Sequence, residues 1–593
     1  MKITPTTLTI NQLLGSSNEQ FIIPAYQRRY SWGEKQWADL FNDIKLLNQE
    51  DSHLLGNILC LTSNYSVGIN ELELVDGQQR ATTLTIIIKA LADMFKNFGI
   101  DEVHNELEVL LTCKGIDRKQ KRKLILGDLD DIDYMRFLNN DELDKVENEN
   151  LVEAYKFFLN EFSSFSVENL YEYVHKLRSN TYVIRLDVAN AKDAYKLFET
   201  INNRGLRLSS TDIIKNFLLG HASLINEKTL EKVKSYWTEI IINLDGTKTD
   251  DFFRHYLSYA TQKRITKSTI ISEFKNYYFN SVIEAESLNE YSEYSGLEES
   301  TDEDVVHENI NFEGQKDIDQ STVNKVSITE FAKRLKDSST IYKMIRNGSF
   351  EVKDYNKHLI NLKRIKSFPS YIFLIDLFQR NIEKNDRIKI LKLIETFMLR
   401  RHICEYRTGE LDTIFSNLVN LKDIQIVNEV KSRLFRYLPG DNEFEEKFAR
   451  HSFRNNEGRA KYVLEQLEYN LINDQGEYEL TSGIDLHLEH IIPQKITTKK
   501  SKKDFGDWEG YLGGNSSGEH REYVNRIGNL TLLARSLNIS ASNNPFQSKV
   551  KEYKKSNIAL TQEVSKFDDF KFEDVINRSK ILANSALELW NFN

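Results

Sequence analysis

The period of the hydrophobic positions changes along the chain, and each change marks an element. Residues 21–32 read FIIPAYQRRYSW, a short apolar strand ended by Pro24 and followed by a cluster of Tyr, Gln, Arg and Trp. Residues 34–48 have helical spacing. Residues 53–62 (HLLGNILCLT) and 71–75 (ELELV) have strand character, and a sharp turn at Asp76-Gly77 separates the second from ATTLTIIIKALADMF, whose apolar residues recur at helical spacing. The unit is therefore strand, glycine turn, helix. Residues 102–178 are mostly helical in pattern, and 181–188 (TYVIRLDV) read as a strand. Residues 191–220 give a helix, a loop at Asn202–Gly205 and a second helix after Ser209, where Ser209-x-x-Asp212 suits a capping box. Residues 226–440 are mainly helical, with an interruption at 284–320. From about 445 a third unit carries a helix at 457–472, a strand at 484–491, a Lys-rich loop at 495–503, GNLTLL at 528–533, a helix near 546–556 and a helical terminal segment at 566–593. No internal repeat is present. The pattern predicts an α+β, multidomain protein with domains at 1–225, 226–440 and 441–593.

Composition narrows the class. The chain has 593 residues, too many for one core, with 40% hydrophobic and 28% charged residues, as in soluble globular proteins. Only 6 prolines and 25 glycines leave long helices unbroken and make a turn-rich β-sandwich a poor fit. The formal net charge of −10 gives no global sign of nucleic-acid binding, but the acid is concentrated. Residues 284–315 hold eleven Asp or Glu and no Lys or Arg, so the remainder is close to neutral and has room for basic surfaces. That stretch, poor in large apolar residues, reads as a mobile insert. Cys60, Cys113 and Cys404 are far apart with no CxxC pair, which argues against a disulfide framework or a cysteine zinc site and fits a reducing cytoplasm. The N-terminal residues lack a basic-then-apolar signal pattern, and no run of 18 apolar residues exists, so a cytoplasmic protein without membrane attachment is expected.

Candidate chemistry lies at both ends. Near the C-terminus, LHLEHIIPQ places Glu489 beside His490, with Pro493 three residues on; Asn529, in RIGNLTLLARSLN, follows His490 by 39 residues, and Asn538 lies nine beyond that. Hydrolysis of a phosphodiester needs an activated water and a counter-charge for the phosphate. A histidine suits the base role, and Mg²⁺, which keeps several waters, needs only one carboxylate and one amide oxygen. The order acid-His, Asn, Asn resembles the HNH or ββα-metal nucleases, and EHIIPQ with GNLTLL resembles the C-terminal nuclease domain of GmrSD-type restriction proteins. The resemblance implies His490 as general base, Glu489 and Asn538 as metal ligands, and Asn529 as a brace that orients His490. Family members often carry Asp at the Glu489 position. His487, which strand alternation puts on the side of Glu489, stays open as the alternative ligand. Tyr462, Leu464 and Leu467 match the helix preceding the site and read as core. Lys495, Lys499, Lys500, Lys502 and Lys503 form either a phosphate-holding run or a solvated loop.

In the N-terminal part, VDGQQR at 75–80 lies between strand and helix. Gly77 permits a tight turn and close approach of a ligand to the backbone. The helix start offers N–H groups and a positive dipole end. Arg80 can grip phosphate with a fork of donors, and Asp76 can hold Mg²⁺ or orient a water. Together, Asp76, Gly77, Gln78, Gln79 and Arg80 suit a nucleoside triphosphate. VDGQQR with YQRRYSW resembles the ParB/sulfiredoxin-like domain of the same GmrSD-type family, which implies that Tyr26, Gln27, Arg28 and Trp32 line the pocket. Tyr26, Tyr30 and Trp32 also read as core aromatics. FETINNRGLRLSSTDIIKN, 198–216, matches a third family element through Asn202, Gly205, Asp212 and Lys215; Asp212 and Lys215 are either ligands or, for Asp212, a helix cap. RKQKRK at 118–123 reads as a solvated basic face.

What the resemblance implies is a nucleotide-binding or -hydrolysing domain, a mainly helical middle (with FMLRRHICEYR at 397–407 as a weaker match) and an HNH nuclease domain. The expected function is a Mg²⁺- or Mn²⁺-dependent DNA endonuclease regulated by a nucleoside triphosphate, acting in bacterial defence against phage or foreign, including modified, DNA. The expected partners are DNA and a nucleoside triphosphate, and a homodimer is compatible with the sequence. The alternative is a nucleotide-dependent DNA-binding switch with a decayed nuclease.

Overall fold

The computed structural model describes residues 3–48, 50–202, 209–285, 325–472, 485–497, 503, 506–513 and 516–592. These form two compact units, one of Met1–Arg254 with Thr266–Thr340, the other of His255–Ile265 with Ile341–Asn593. The acidic stretch at 284–320 lies almost wholly outside the described residues.

The first unit is built on a six-stranded mixed sheet. Its strands are β1 (Ile3–Thr9), β2 (Glu19–Ile22), β3 (His53–Ser66), β4 (Ile69–Asp76), β5 (Leu124–Ile125) and β6 (Thr181–Val188), in the order β1-β6-β3-β4-β2-β5. β3 and β4 form an antiparallel pair, β6 runs parallel to β3, and β2 runs parallel to both β4 and β5. The helix α1 (Gln78–Asn97) leaves the end of β4 through Gly77. It is buried almost all round, as expected of a helix covered on every side. Even its threonines are internal: the Thr82 and Thr83 hydroxyls donate back to the carbonyls of Gln78 and Gln79, at 2.9 and 2.8 Å, which satisfies them without water. Ile86, Ile87, Leu84 and Leu91 join Phe41, Leu72, Leu74 and Phe158 in one core. Each such side chain contributes about 1.5–3 kcal/mol by leaving water. Helices α2 (Glu149–Ser163), α3 (Ala191–Asn202), α4 (Ser210–Ile225) and α5 (Glu227–Asn243) complete the elements used below.

Residues 102–178 are less uniformly helical than their pattern predicts. Three short strands, Thr112–Lys114, Gln120–Arg122 and Leu124–Ile125, interrupt the helices. The basic run 118–123 consequently is not a solvated face throughout. Lys123 is buried, donating to the carbonyls of Ser16 and, at 3.1 Å, Glu19.

Among its described residues the second unit is helical apart from one antiparallel pair of strands, called the hairpin below. Its helices include α6 (Lys384–Ile403), α7 (Asp441–Arg450) and α8 (Glu457–Leu471). Strands β7 (Leu486–His490) and β8 (Leu530–Ala534) then pair antiparallel, followed by α9 (Arg535–Ala541), α10 (Phe546–Tyr553) and α11 (Phe572–Leu589). In the pairing, His490 faces Leu530, Glu489 faces Thr531 and His487 faces Leu533. Leu533, Ile491, Phe546, Val550, Tyr553 and Val575 form the core beneath the hairpin. Within FMLRRHICEYR, Arg400 is fully buried and donates to the Pro439 carbonyl at 2.9 Å and to Asp441 at 2.6 Å, so this motif serves packing between α6 and the start of α7. No helix among the described residues is long and apolar enough to cross a membrane.

Candidate functional sites

The glycine turn is the pivot of the first site. Gly77 has φ +94°, a left-handed conformation that favours glycine. A Cβ there would lie 3.0 Å from the Ile58 side chain and 3.3 Å from the Asn57 carbonyl oxygen, so β3 would also have to give way to a side chain. Asp76 and Arg80, one turn apart, form an ion pair at 3.5 Å. The Arg80 guanidinium lies on the backbone of Gly56, where a Cβ would stand 2.4 Å from Nη1. Burial raises the Asp76 carboxyl above its ordinary value, and the Arg80 charge and the Gly77 N–H pull it back.

YQRR and the third element converge on this turn. The Gln27 amide donates to the carbonyls of Leu74 at 3.2 Å and Val75 at 3.0 Å, fixing the segment to the end of β4. Lys215, on α4, donates to Gln27 Oε1. It is only 3% exposed, and its ammonium lies 3.7 Å from Asp212. Burial lowers its pKa, while the carboxylates of Asp212 and Asp76 counter that effect. Arg28 reaches Asp212 at 3.4 Å. Ser209 caps α4 by accepting from the Asp212 N–H at 3.2 Å, and its hydroxyl donates to the Asp212 carboxylate at 2.7 Å. Asp76, Arg80, Gln27, Arg28, Asp212 and Lys215 thus form one charged cluster from three separate stretches of sequence. The Asn202 side chain and Gly205 lie outside the described residues.

Other members of the expected set have structural partners. Gln79 accepts from the N–H groups of Ser31 at 2.8 Å and Trp32 at 3.2 Å and donates to the Arg29 carbonyl, so its amide is used in holding the loop. Tyr26 is buried, with its hydroxyl donating to Glu73 and 3.4 Å from that of Tyr195. Tyr30 and Trp32 pack with the core. Gln78 is buried, its Oε1 has no hydrogen-bond partner, and it lines a cleft with Gln27, Arg28, Tyr30, Leu126 and Asp130. The pattern gave no hint of Arg29 and Asp130: Arg29 Nε donates to Asp130 at 3.0 Å, and the same carboxylate accepts from the Tyr30 N–H. These residues hold the YQRR loop against the following helices.

The second site is the hairpin. Asn529 is fully buried. Its Oδ1 accepts from the Ile492 N–H at 2.8 Å, and its Nδ2 donates to the carbonyls of Ile492 and Val524, both at 2.9 Å. It therefore clamps the chain just after His490 to the segment entering β8. Gly528 lets this turn pass under α11: an added Cβ would lie 2.1 Å from the Val575 carbonyl oxygen. The Arg578 guanidinium closes the turn from below, donating to the carbonyls of Gly528 at 2.8 Å and Leu530 at 2.7 Å. Both residues of the GN pair are thus fixed by packing that only the folded chain displays.

His490 is partly buried at the end of β7. Its Nε2 lies 3.3 Å from Asn525 Oδ1 and 3.1 Å from Gln494 Nε2; a neutral imidazole satisfies one of the two at a time, donating to Asn525 when Nε2 carries the proton and accepting from Gln494 when it does not. Burial lowers its pKa to about 4; the Asn525 hydrogen bond opposes the shift and the Lys549 charge adds to it. It is a free base at neutral pH. Glu489 leaves the opposite face of the strand and is 6% exposed. Its Oε1 accepts from Lys549 Nζ and from the Tyr553 hydroxyl, each at 2.7 Å. His487, on the same face, is half-exposed and pairs with Asp485 at 3.2 Å. Asn538, on α9, has a buried Oδ1 with no hydrogen-bond partner. An orphaned buried amide oxygen is costly unless something accepts its lone pairs, and a hard cation fits that need. Lys503 is exposed; Lys499, Lys500 and Lys502 lie outside the described residues.

Among the described residues, Asp93, His104 and Glu108 form a further trio close enough to share a cation. Lys89 pairs with two of its members, at 2.8 Å from Asp93 and 3.2 Å from Glu108.

Known family models match the two stretches of chain in which these residues lie. The N-terminal-domain model of the GmrSD restriction endonuclease covers residues 10–219, and the C-terminal-domain model of GmrSD restriction endonucleases covers residues 438–585. No curated protein matches the chain.

Proposed function

The chain belongs to the GmrSD restriction endonuclease family, and from that premise we propose that it hydrolyses DNA at the hairpin of the second unit, in a manner governed by a nucleoside triphosphate held at the glycine turn of the first. Restriction endonucleases act on DNA in defence against phage, so the hydrolase class and the DNA partner come from the family itself.

The observation that supports the nuclease site is the arrangement around His490: a neutral imidazole at the strand end, a turn clamped by Asn529, and the orphaned Asn538 oxygen on the helix that follows the hairpin. Strand, strand and helix in this order suit a ββα-metal (HNH-type) fold. His490 takes the proton from the attacking water. Glu489 and Asn538 hold Mg²⁺ or Mn²⁺, with His487 the rival to Glu489. When bound, such a cation polarises the phosphate and stabilises the leaving oxygen. Lys503, with Lys499, Lys500 and Lys502, contacts phosphates of the duplex. In the first unit, a ParB/sulfiredoxin-like nucleotide site, Arg80 and Lys215 bind the phosphates and the start of α1 adds its N–H groups. Asp76 then orients water or Mg²⁺ for hydrolysis.

The test is cleavage of modified and unmodified phage DNA by the purified chain with Mg²⁺, with and without each nucleoside triphosphate. Strand breaks that need Mg²⁺, respond to nucleotide and disappear in a folded His490→Ala variant are expected. Nucleotide-dependent DNA binding with no breaks by the parent would replace this reading with that of a DNA-binding switch, and undiminished cutting by His490→Ala would remove His490 from the chemistry.

A further inference from the structure

The hairpin's acid is held by residues to which neither the sequence motif nor the family's nuclease signature assigns a role. Lys549 is 1% exposed, and its single ammonium bridges two consecutive residues of β7: it donates to Glu489 Oε1 and to the His490 carbonyl oxygen, both at 2.7 Å. Tyr553, one turn along α10 and fully buried, donates to the same Glu489 Oε1. Positions i and i+4 of a helix share a face, so one helix face supplies both donors. Two charge-assisted hydrogen bonds converge on one carboxylate oxygen, while no hydrogen bond reaches Oε2 from the described residues.

A buried ammonium–carboxylate pair is a poor device for stability alone, because desolvating both ions consumes most of their attraction. It is a good device for orientation. A carboxylate whose Oε1 is fixed by two donors has lost its rotational freedom, and its second oxygen points in one direction. The bond from Lys549 to the His490 carbonyl fixes the strand end from which the imidazole also departs.

We propose that Lys549 and Tyr553 are positioning residues that lock Glu489 Oε1 against α10 and so present Oε2 to a divalent cation. This rests on the reading of Glu489 as a metal ligand. Residues that orient a metal ligand typically account for about ten- to hundredfold in metal affinity.

The experiment is calorimetric titration of the full chain with Mn²⁺, in the absence of DNA, alongside DNA cleavage over a range of Mn²⁺ concentrations. Tyr553→Phe removes one donor without altering charge. Lys549→Arg keeps the charge but replaces the compact ammonium with a larger planar head, which has to take a different position relative to the two oxygens. Circular dichroism and thermal melting identify folded variants. Both should bind Mn²⁺ about ten- to hundredfold more weakly, and cleavage should recover towards the parent rate at saturating Mn²⁺. A purely structural role would not produce that recovery. If Glu489→Gln abolishes Mn²⁺ binding while both variants bind as the parent does, Glu489 is a ligand and the positioning proposal is overturned. If Glu489→Gln also binds as the parent does, or the parent binds no Mn²⁺, the metal-ligand reading and the proposal fall together.

Discussion

Lys215 donates to Gln27 Oε1, and the Nε2 of the same amide donates to the carbonyls of Leu74 and Val75. One side-chain amide thus couples a buried ammonium on α4 to the end of β4, next to the glycine turn. Lys215 also has Asp212 at 3.7 Å, and Asp76 is close enough to influence its charge. A buried cation supported by an amide and two carboxylates is suited to gain a triphosphate as a further partner.

Lys215→Met should therefore keep the fold and lose nucleotide affinity. A hydrogen bond to a charged group is worth about 1.5–3 kcal/mol, so Kd for the best-binding nucleoside triphosphate should rise about ten- to hundredfold. Calorimetry decides: an unchanged Kd would make Lys215 part of the packing alone.

Gly56→Ala tests whether Arg80 must lie where it does. Gly56 has φ +115°, and its α-carbon sits beneath the Arg80 guanidinium. Alanine would incur about 1–3 kcal/mol of backbone strain and would push Nη1 from its place. The expected result is a melting temperature lower by a few degrees together with a loss of nucleotide affinity like that of Arg80→Ala. Lower stability with full affinity would show that Arg80 does not need this seat.

Periodicity made the strand–turn–helix at 71–97 and the strand at 181–188 legible because each buries a regular face. The strands at 112–125 were hidden because they are only two or three residues long, below the length at which alternation can be read. The site followed the same rule. Asp76, Gly77 and Arg80 sit in one contiguous motif, and EHIIPQ and GNLTLL are equally local. Lys549 and Tyr553 were missed because FQSKVKEY reads as an ordinary amphipathic helix; only the pairing of β7 with β8 brings Glu489 beneath it. From its place in the motif Gln79 reads as a ligand; in the structure the partners of its amide are backbone groups of the loop at 29–32, nearly fifty residues away in sequence.

Asn529→Ala should act first on stability. It removes three buried hydrogen bonds and leaves the Ile492 N–H and the Ile492 and Val524 carbonyls without that partner. An abandoned buried polar group costs about 1–3 kcal/mol, so a loss of roughly 3 kcal/mol or more is expected in urea unfolding followed by fluorescence. Cleavage should fall even at temperatures where the variant stays folded, since the turn after His490 is no longer clamped. A stability change below about 1 kcal/mol would mean that the turn holds without it.

Acid should weaken the first unit through His221. Its imidazole lies 4.3 Å from the Phe217 ring centroid, with Tyr278 and Phe279 around it, and its Nδ1 has no hydrogen-bond partner. Burial, helped by the nearby Lys275 ammonium, lowers its pKa from 6.5 to about 4. The neutral form is the one the fold accommodates, and between pH 6.5 and about 4 the unfolded chain binds a proton that the folded chain refuses. The stability this group contributes is therefore complete above pH 6.5, declines as pH falls through that window, and changes no further below about pH 4. One proton corresponds to a slope of about 1.4 kcal/mol per pH unit. Unfolding free energies of the parent and of His221→Leu at pH 7.5, 6 and 5 (chosen as roughly spanning the window) check this by difference. The parent should lose stability faster than the variant on acidification, and parallel pH profiles would show that the His221 ring does not resist protonation in the folded chain.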